Sequence, residues 1–586
     1  MTSKPDATAF ENIRWIFGGL CLVAAWLFPF YSVASRDAMQ QMFALGMFSL
    51  ASLLFGMSAI ASLPLLLLAA AILVMASAPH VYWGGQIAGV AGLLLAGVAA
   101  HVGAQSHRKP ALLPWLLLGI VIAAFCNAAE GLLQWFGLVP GLSPWVIEPE
   151  RRGIAFGAFR QPNLFATFIC VGAVSALWLV ELRRLTETMA WFLLVVLVFA
   201  VAASGSRSGA IELLALAVAG CVWRRQQSVA ITRLMVGQLF LFALATYALP
   251  VAAAWHGFDF VSGVARVANA GQDARFLVWR NAAALIREQP WSGWGWLEMG
   301  YGHYVTVFQN RFPELLGHAH NLFLQVAVEF GVPAALALMG ALIWLVFRGR
   351  PWRTELDRGM TLLAHDLRRD TEGMPDPVHH ATPTRQFAWA ILLMIGIHSM
   401  LELPLWSAGF LFLAGLAIGF LMPLPTPNSR RGGYPVWASR IAGLCAAGLI
   451  AIAGVAWIQF AKVNQIYKVP FNDRVAQRAA LAAASDAWLF RAQIDFVAIG
   501  LVEVTQQNAP EIRQKAEKLL HFAAEPQVIV PLLASLRYLN DAGALQFHAE
   551  RFCRAFPAAY VRWKQEPVNQ AIPAAVGARL PPACDQ

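Results

Sequence analysis

Unbroken apolar runs of roughly twenty residues recur along the chain, and a run of that length can cross a bilayer as a helix. They fall at about 13–34, 40–61, 64–78, 84–104, 111–135, 163–181, 189–205, 208–223, 234–254, 321–347, 387–401, 405–422 and 437–460. The pattern predicts an all-α, polytopic integral membrane protein with about thirteen transmembrane helices. Barrel strands alternate polar and apolar positions, and these runs do not. Composition points the same way. Of 586 residues, 58% are apolar and 13% charged, about half the charge density of a soluble domain. So large an apolar excess exceeds what one soluble core absorbs, which excludes a soluble enzyme and a disordered chain.

Basic residues orient the spans. If the spans alternate, Lys4 and Arg14, Arg108 and Lys109, Arg183 and Arg184, and Arg224 and Arg225 share one side. The seven arginines of 348–386 and the pair Arg430 and Arg431 join them. The positive-inside rule makes that side cytoplasmic. Residues 1–460 then form a transmembrane domain with a far-side loop at 255–320 and a cytoplasmic loop at 348–386. Residues 461–586 form an exported α-helical domain. Its short Ala-rich helices look like stacked TPR-type hairpins, although no repeat period is convincing. The first run is too long for a cleaved signal peptide, and Asp6 and Glu11 spoil its charged flank. The net charge of +10 reports topology and anionic partners first, and no nucleic-acid partner is expected.

Five of the seven cysteines lie in spans. Cys553 and Cys584 lie in the exported tail, where a disulfide between them is permitted and expected. No cysteine spacing suits zinc or an iron–sulfur cluster.

The unusual polar residues gather at the far face. Arg160-Gln161-Pro162-Asn163 opens the sixth span, and Pro162 suits a first helical turn. A capped helix start competes there with Arg160 and Gln161 facing a polar cavity. Ser204 to Gly209 joins two spans. Arg207 opposes the dipole at the start of the eighth unless an anion compensates, and a snorkelling arginine is the alternative. Residues 274–288 read as an amphipathic helix in the long loop, with Arg275, Trp279 and Ala282 or Ala283 on one face. Arg280 is a further cationic candidate. The tryptophans of 290–296 suit an interfacial belt. His318 and His320 end the loop. Three readings stand there: a general base, a satisfied structural histidine, or a zinc site that recruits His303 or Glu314. His398 and Glu402 sit at a tight turn between spans, where ionisable groups are costly in lipid and mark function. Otherwise Glu402 simply reaches water. Together, arginines and a histidine at one face suit a clamped diphosphate and a deprotonated hydroxyl.

The motifs "GAFRQPNLFA", "SGSRSG", "ARFLVWRNA…PWSGWGW", "GHAHNLFLQVAVEFG" and "HSMLELPLW" span about 150–420. They resemble the bacterial O-antigen ligase and polymerase superfamily, the Wzy_C group, and most of all its PglL-type O-oligosaccharyltransferases. The resemblance implies en bloc transfer of a glycan from undecaprenyl diphosphate to a hydroxyl at the periplasmic face of the inner membrane. It implies His320 as catalytic base, Arg207 and Arg275 on the diphosphate, and Gln161 in donor engagement. Arg160, Arg280, His398 and Glu402 are further donor- or acceptor-binding candidates. PglL-type relatives often carry a tyrosine near the Glu-x-Pro-Leu-Trp element. Here the neighbours are Leu403 and Ser407, so no tyrosine role transfers.

The expected acceptor is Ser or Thr of a periplasmic, pilin-like protein. Lipid A-core ligation and O-antigen polymerisation are the near alternatives, and a lipid flippase is the alternative of another class. Direct attack would invert the anomeric centre. No cofactor is expected, and the lack of an Asp-x-Asp motif on the far face predicts metal independence.

Overall fold

The computed structural model describes residues 6–30, 32–35, 37–58, 82–224, 227–260, 274–352, 377–422, 436–470 and 472–566. Among the described residues it is all-helical. The membrane-domain helices are α1 (Asp6–Trp26), α2 (Ala38–Phe55), α3 (Trp83–Arg108), α4 (Leu112–Phe136), α5 (Pro162–Glu181), α6 (Glu187–Ser204), α7 (Arg207–Trp223) and α8 (Val229–Trp255). The long loop then carries α9 (Ala274–Glu288) and α10 (Met299–Val305), followed by α11 (Leu322–Gly349), α12 (Pro377–Ser399), α13 (Ala408–Leu421) and α14 (Val436–Lys468). Eight described helices are long and apolar enough to cross a membrane: α2, α3, α4, α5, α6, α8, α11 and α14. At the other expected spans stand α1, α7, α12 and α13, of which α7 and α13 have only 17 and 14 residues. The run 64–78 lies outside the described residues.

Contacts sort the helix ends into two groups. At one end Lys109 pairs with Glu11, His107 meets Phe420 O, Trp223 donates to Pro351 O and Arg233 pairs with Glu187. The described basic loops lie at this end. The polar motifs lie at the other. Short α13 is held by backbone proximity: a Cβ on Gly415 or Gly419 would stand 2.1 Å from Ala96 O or Ala100 O of α3. Small residues four apart let two helices touch without side chains between them. The helix that organises the interior is α5, with 83% of its apolar window buried. Its first two turns carry Asn163 and Thr167.

The tail folds as α15 (Arg474–Ala483), α16 (Arg491–Ile499), α17 (Ala509–Leu520), α18 (Pro526–Tyr538), α19 (Ala542–Ala555) and α20 (Pro557–Gln565). The helical patterns at 510–524 and 540–555 correspond to α17 and α19. The tail shares one core with Tyr82 and Tyr304 of the membrane domain and loop. Tyr304 Oη meets His548 Nδ1 at 3.2 Å, Arg551 donates to Val305 O, and His521 bonds Glu298 at 2.7 Å. Cys553 is buried and disulfide-bonded. Cys584 lies outside the described residues. Cys21, Cys126, Cys170, Cys221 and Cys445 sit in helices as free thiols.

Two histidines make this junction acid-sensitive. Burial, aided by Arg311, pushes His303 down to about 3. Burial, with help from Arg551 and Arg513 against Glu517 and Asp541, pushes His548 down to about 4. Both are depressed, so the unfolded chain binds more protons between about 6.5 and those values. Their stabilisation is whole above about 6.5 and is lost as the pH falls. At pH 5 each costs on the order of 2 kcal/mol. The thermal midpoint of the solubilised full chain is expected to stay level from pH 8 to 7 and to fall clearly by pH 5. A level midpoint down to pH 5 would contradict this.

Candidate active site

The polar end is assembled from helix starts. Gln161 caps α5 by accepting from Leu164 N, with Pro162 in the first turn. Ser206 caps α7 by accepting from Gly209 N at 3.2 Å. Asn321 caps α11 by accepting from Phe323 N and Leu324 N, each at 3.1 Å. Such caps satisfy backbone N–H groups that a helix start leaves unpaired. The same side chains also join the helices. Ser206 Oγ donates to Asn163 Oδ1 at 2.7 Å, and Asn321 Nδ2 donates to Met400 O at 3.2 Å. α5, α7, α11 and the turn between α12 and α13 thus meet at one place.

Glu402 is the hub. Its Oε2 lies 2.7 Å from His320 Nδ1, its Oε1 accepts from Arg275 Nη2 at 3.2 Å, and Asn163 Nδ2 lies 3.4 Å from the same oxygen. Burial pushes the Glu402 carboxyl up, but the His320 bond and charge, with the Arg275 charge and bond, outweigh it and hold it below the ordinary carboxylate range. A carboxylate only accepts, so Nδ1 carries the proton in neutral His320 and Nε2 is left as the basic nitrogen. The His320 side chain is 38% exposed while Glu402 is 18% exposed, so the base is the more open of the two and its partner lies deeper. His320 (φ 50°) and Arg160 (φ 59°) both adopt left-handed backbone, a strained conformation that clusters at functional sites. Trp279 and Trp406 each hold a buried indole N–H with no partner among the described residues.

The sequence candidates separate here. His320, Arg275 and Glu402 converge. Arg207 stands at the first position of α7, half-buried beside Ser206 and Ser208. Arg160 donates to Pro29 O, and Gln161 serves as a cap, as the structural alternative had it. Arg280 is exposed, five residues beyond Arg275 and so about 140° round the helix, and no described hydrogen bond joins it to the Glu402 cluster. His398 is wholly buried on Thr167 Oγ1 at 2.6 Å. Glu402 does not simply reach water. His318 is exposed, and buried Ala319 separates it from His320. His303 is engaged at both ring nitrogens, by Asn281 Oδ1 at 3.0 Å and by Arg311 and Leu316 N, so it is not placed to join a His-x-His metal site. Of the tryptophans of 290–296, only Trp291 is largely exposed, as a belt residue would be. Trp294 donates to Leu285 O, and Trp296 donates to Gly85 O and stacks on Trp406.

Sequence reasoning missed Asn163, Thr167 and Asn321 as links. It also left Glu402 without its partner. The only available signal was polarity inside an apolar run, as at Thr167 and Glu212. The loop itself is pinned where α11 kinks at Gly331 (φ 85°). Trp294 N donates to Val328 O, Gly295 N to Glu329 O and Val332 N to Pro290 O. This fixes the base of α9, and hence Arg275, against α11, whose start carries His320.

Three family models match successive stretches of the chain. A protein glycosylation ligase model (PglL_A) matches 155–180. An O-antigen ligase model (Wzy_C) matches 192–339. The C-terminal model of virulence factor membrane-bound polymerases (Wzy_C_2) matches 386–571. The first holds Arg160 to Thr167, the second Arg207, Arg275 and His320, and the third His398 and Glu402. A general O-oligosaccharyltransferase of Acinetobacter baylyi is 25% identical over 385 residues, which cover 62% of this chain and 58% of that relative. The chain thus spans less than two thirds of that relative's length. By these successive matches, the chain is similar to the superfamily of O-antigen ligases and PglL-type protein glycosylation ligases.

Proposed function

We propose that the protein transfers a preassembled glycan from undecaprenyl diphosphate to a hydroxyl, most readily Ser or Thr of a periplasmic acceptor protein. The observation that carries this reading is one carboxylate, Glu402, shared by His320 and Arg275. It orients a base and anchors a guanidinium at the same spot. His320 Nε2 takes the acceptor hydroxyl proton as the oxygen attacks the anomeric carbon. The bond from that carbon to the diphosphate oxygen breaks on the opposite face, so the configuration inverts. Undecaprenyl diphosphate leaves with added negative charge, which the guanidinium charges of Arg275 and Arg207 stabilise. The activated sugar arrives on lipid, so the scheme uses neither a nucleotide nor a metal. The basic helix ends lie opposite the site, which supports a periplasmic site in the inner membrane by the positive-inside rule.

The test is transfer by the purified full chain in nanodiscs, given lipid-linked glycan with a pilin-like protein or with lipid A-core. Transfer to the protein supports the reading. Transfer to lipid A-core alone makes the chain an O-antigen ligase, and transfer to neither refutes glycan transfer. In the same assay Arg207→Ala and Arg275→Ala are each expected to lower kcat/KM for the donor roughly 10–100-fold, as for a lost charged hydrogen bond. Lysine at either position should restore only part, because it lacks the planar fork. Normal donor kinetics in both alanine variants would place the diphosphate elsewhere.

A further inference from the structure

Beneath the site lies a buried cluster that the proposed chemistry does not use. Thr167 Oγ1 donates to Glu212 Oε1 at 2.7 Å and lies 2.6 Å from His398 Nδ1. All three side chains are fully buried, on α5, α7 and α12. Thr167 follows Asn163 by one turn of α5, so the two share a face. Asn163 reaches the Glu402 side chain, and Thr167 reaches His398. The carbonyl of His398 in turn accepts from Leu401 N at 2.9 Å and Glu402 N at 2.8 Å. The backbone that presents Glu402 is therefore built directly on His398.

We propose that Thr167 is a positioning residue for glycan transfer, its hydroxyl tying His398 to Glu212 so that the turn above presents Glu402 to His320. The inference rests on the function proposed above. A hydroxyl has one proton and two lone pairs. When it donates to Glu212 it accepts from His398 Nδ1–H, so one atom locks three helices. Valine has the shape of threonine and can do neither. The Thr167 hydroxyl is the hydrogen-bonded link between the Glu212 and His398 side chains.

The test compares kcat and donor KM for the full chain in nanodiscs. Thr167→Val is expected to lower kcat roughly 10–100-fold, the scale of a misplacement near 1 Å, with a smaller rise in donor KM because Glu402 also anchors Arg275. Thr167→Ser keeps the hydroxyl and should stay close to wild type. The double variant Thr167→Val with Glu402→Gln should be no slower than Glu402→Gln alone, because both changes act through one carboxylate. Should the valine variant fail to reach the membrane, Thr167→Ala removes the same hydroxyl with less bulk and is read identically. Undiminished kcat in Thr167→Val, serine as slow as valine, or multiplicative loss in the double variant would each overturn the proposal. Failure of the function itself is read separately, as transfer by the wild-type chain to neither acceptor.

Discussion

His320→Ala is expected to stop glycan transfer, lowering kcat about 10²–10⁴-fold, the usual cost of losing a general base. His320 alone among the described histidines near the site combines an oriented tautomer with an exposed side chain. Its Nδ1 is 2.7 Å from Glu402 and its side chain is 38% exposed. His398 and His303 are buried and engaged. His318 is exposed, with no described hydrogen bond to Glu402, so His318→Ala should cost far less. A backbone control is needed, since His320 sits at φ 50°. Asparagine tolerates that conformation better than alanine does. If His320→Asn is as inactive as His320→Ala, the lost imidazole is responsible rather than a relaxed loop. The measurement is single-turnover transfer in nanodiscs, normalised to protein recovered from the membrane. Wild-type turnover in His320→Ala would remove this residue from the mechanism.

Glu402→Gln should be nearly as damaging, at roughly 10²–10⁴-fold in kcat, by comparison with carboxylates that orient catalytic histidines elsewhere. The neutral amide keeps the shape but withdraws the charge that steadies the imidazolium formed at proton transfer. It also presents an N–H₂ group to Arg275 or to His320, where only acceptors are wanted. The loss should fall on kcat for both acceptor and donor titrations. Donor KM should rise as well, because Arg275 loses its anchor at 3.2 Å. Glu402→Asp retains the charge on a shorter stem and should fall between the two. Donor-saturated rates within a few-fold of wild type in Glu402→Gln would show that His320 needs no orienting carboxylate.

Some of this could be read from the chain directly. Apolar runs longer than a bilayer's thickness announce spans, because unpaired peptide groups are too costly in lipid for another arrangement. The helix at 274–288 was visible in its one-sided pattern, and Arg275 was visible on that face. Pro162 and the serines around Arg207 marked helix starts because caps involve residues only two or three apart. Locally encoded features such as these survived into the fold.

What the chain did not disclose is which of its polar residues touch. Glu402 and His320 are 82 residues apart and Arg275 and Glu402 are 127 apart, with no shared period to connect them. Their meeting depends on where α5, α11 and α12 cross, and on the kink at Gly331 that seats the 290–295 loop. Tertiary packing likewise buried His398 against Thr167, under the turn that carries Glu402. Apolar length and local caps depend on neighbours within a few residues and so can be read from the sequence. A hydrogen-bonded hub depends on side-chain positions that only the packing of distant helices brings within 3 Å or so.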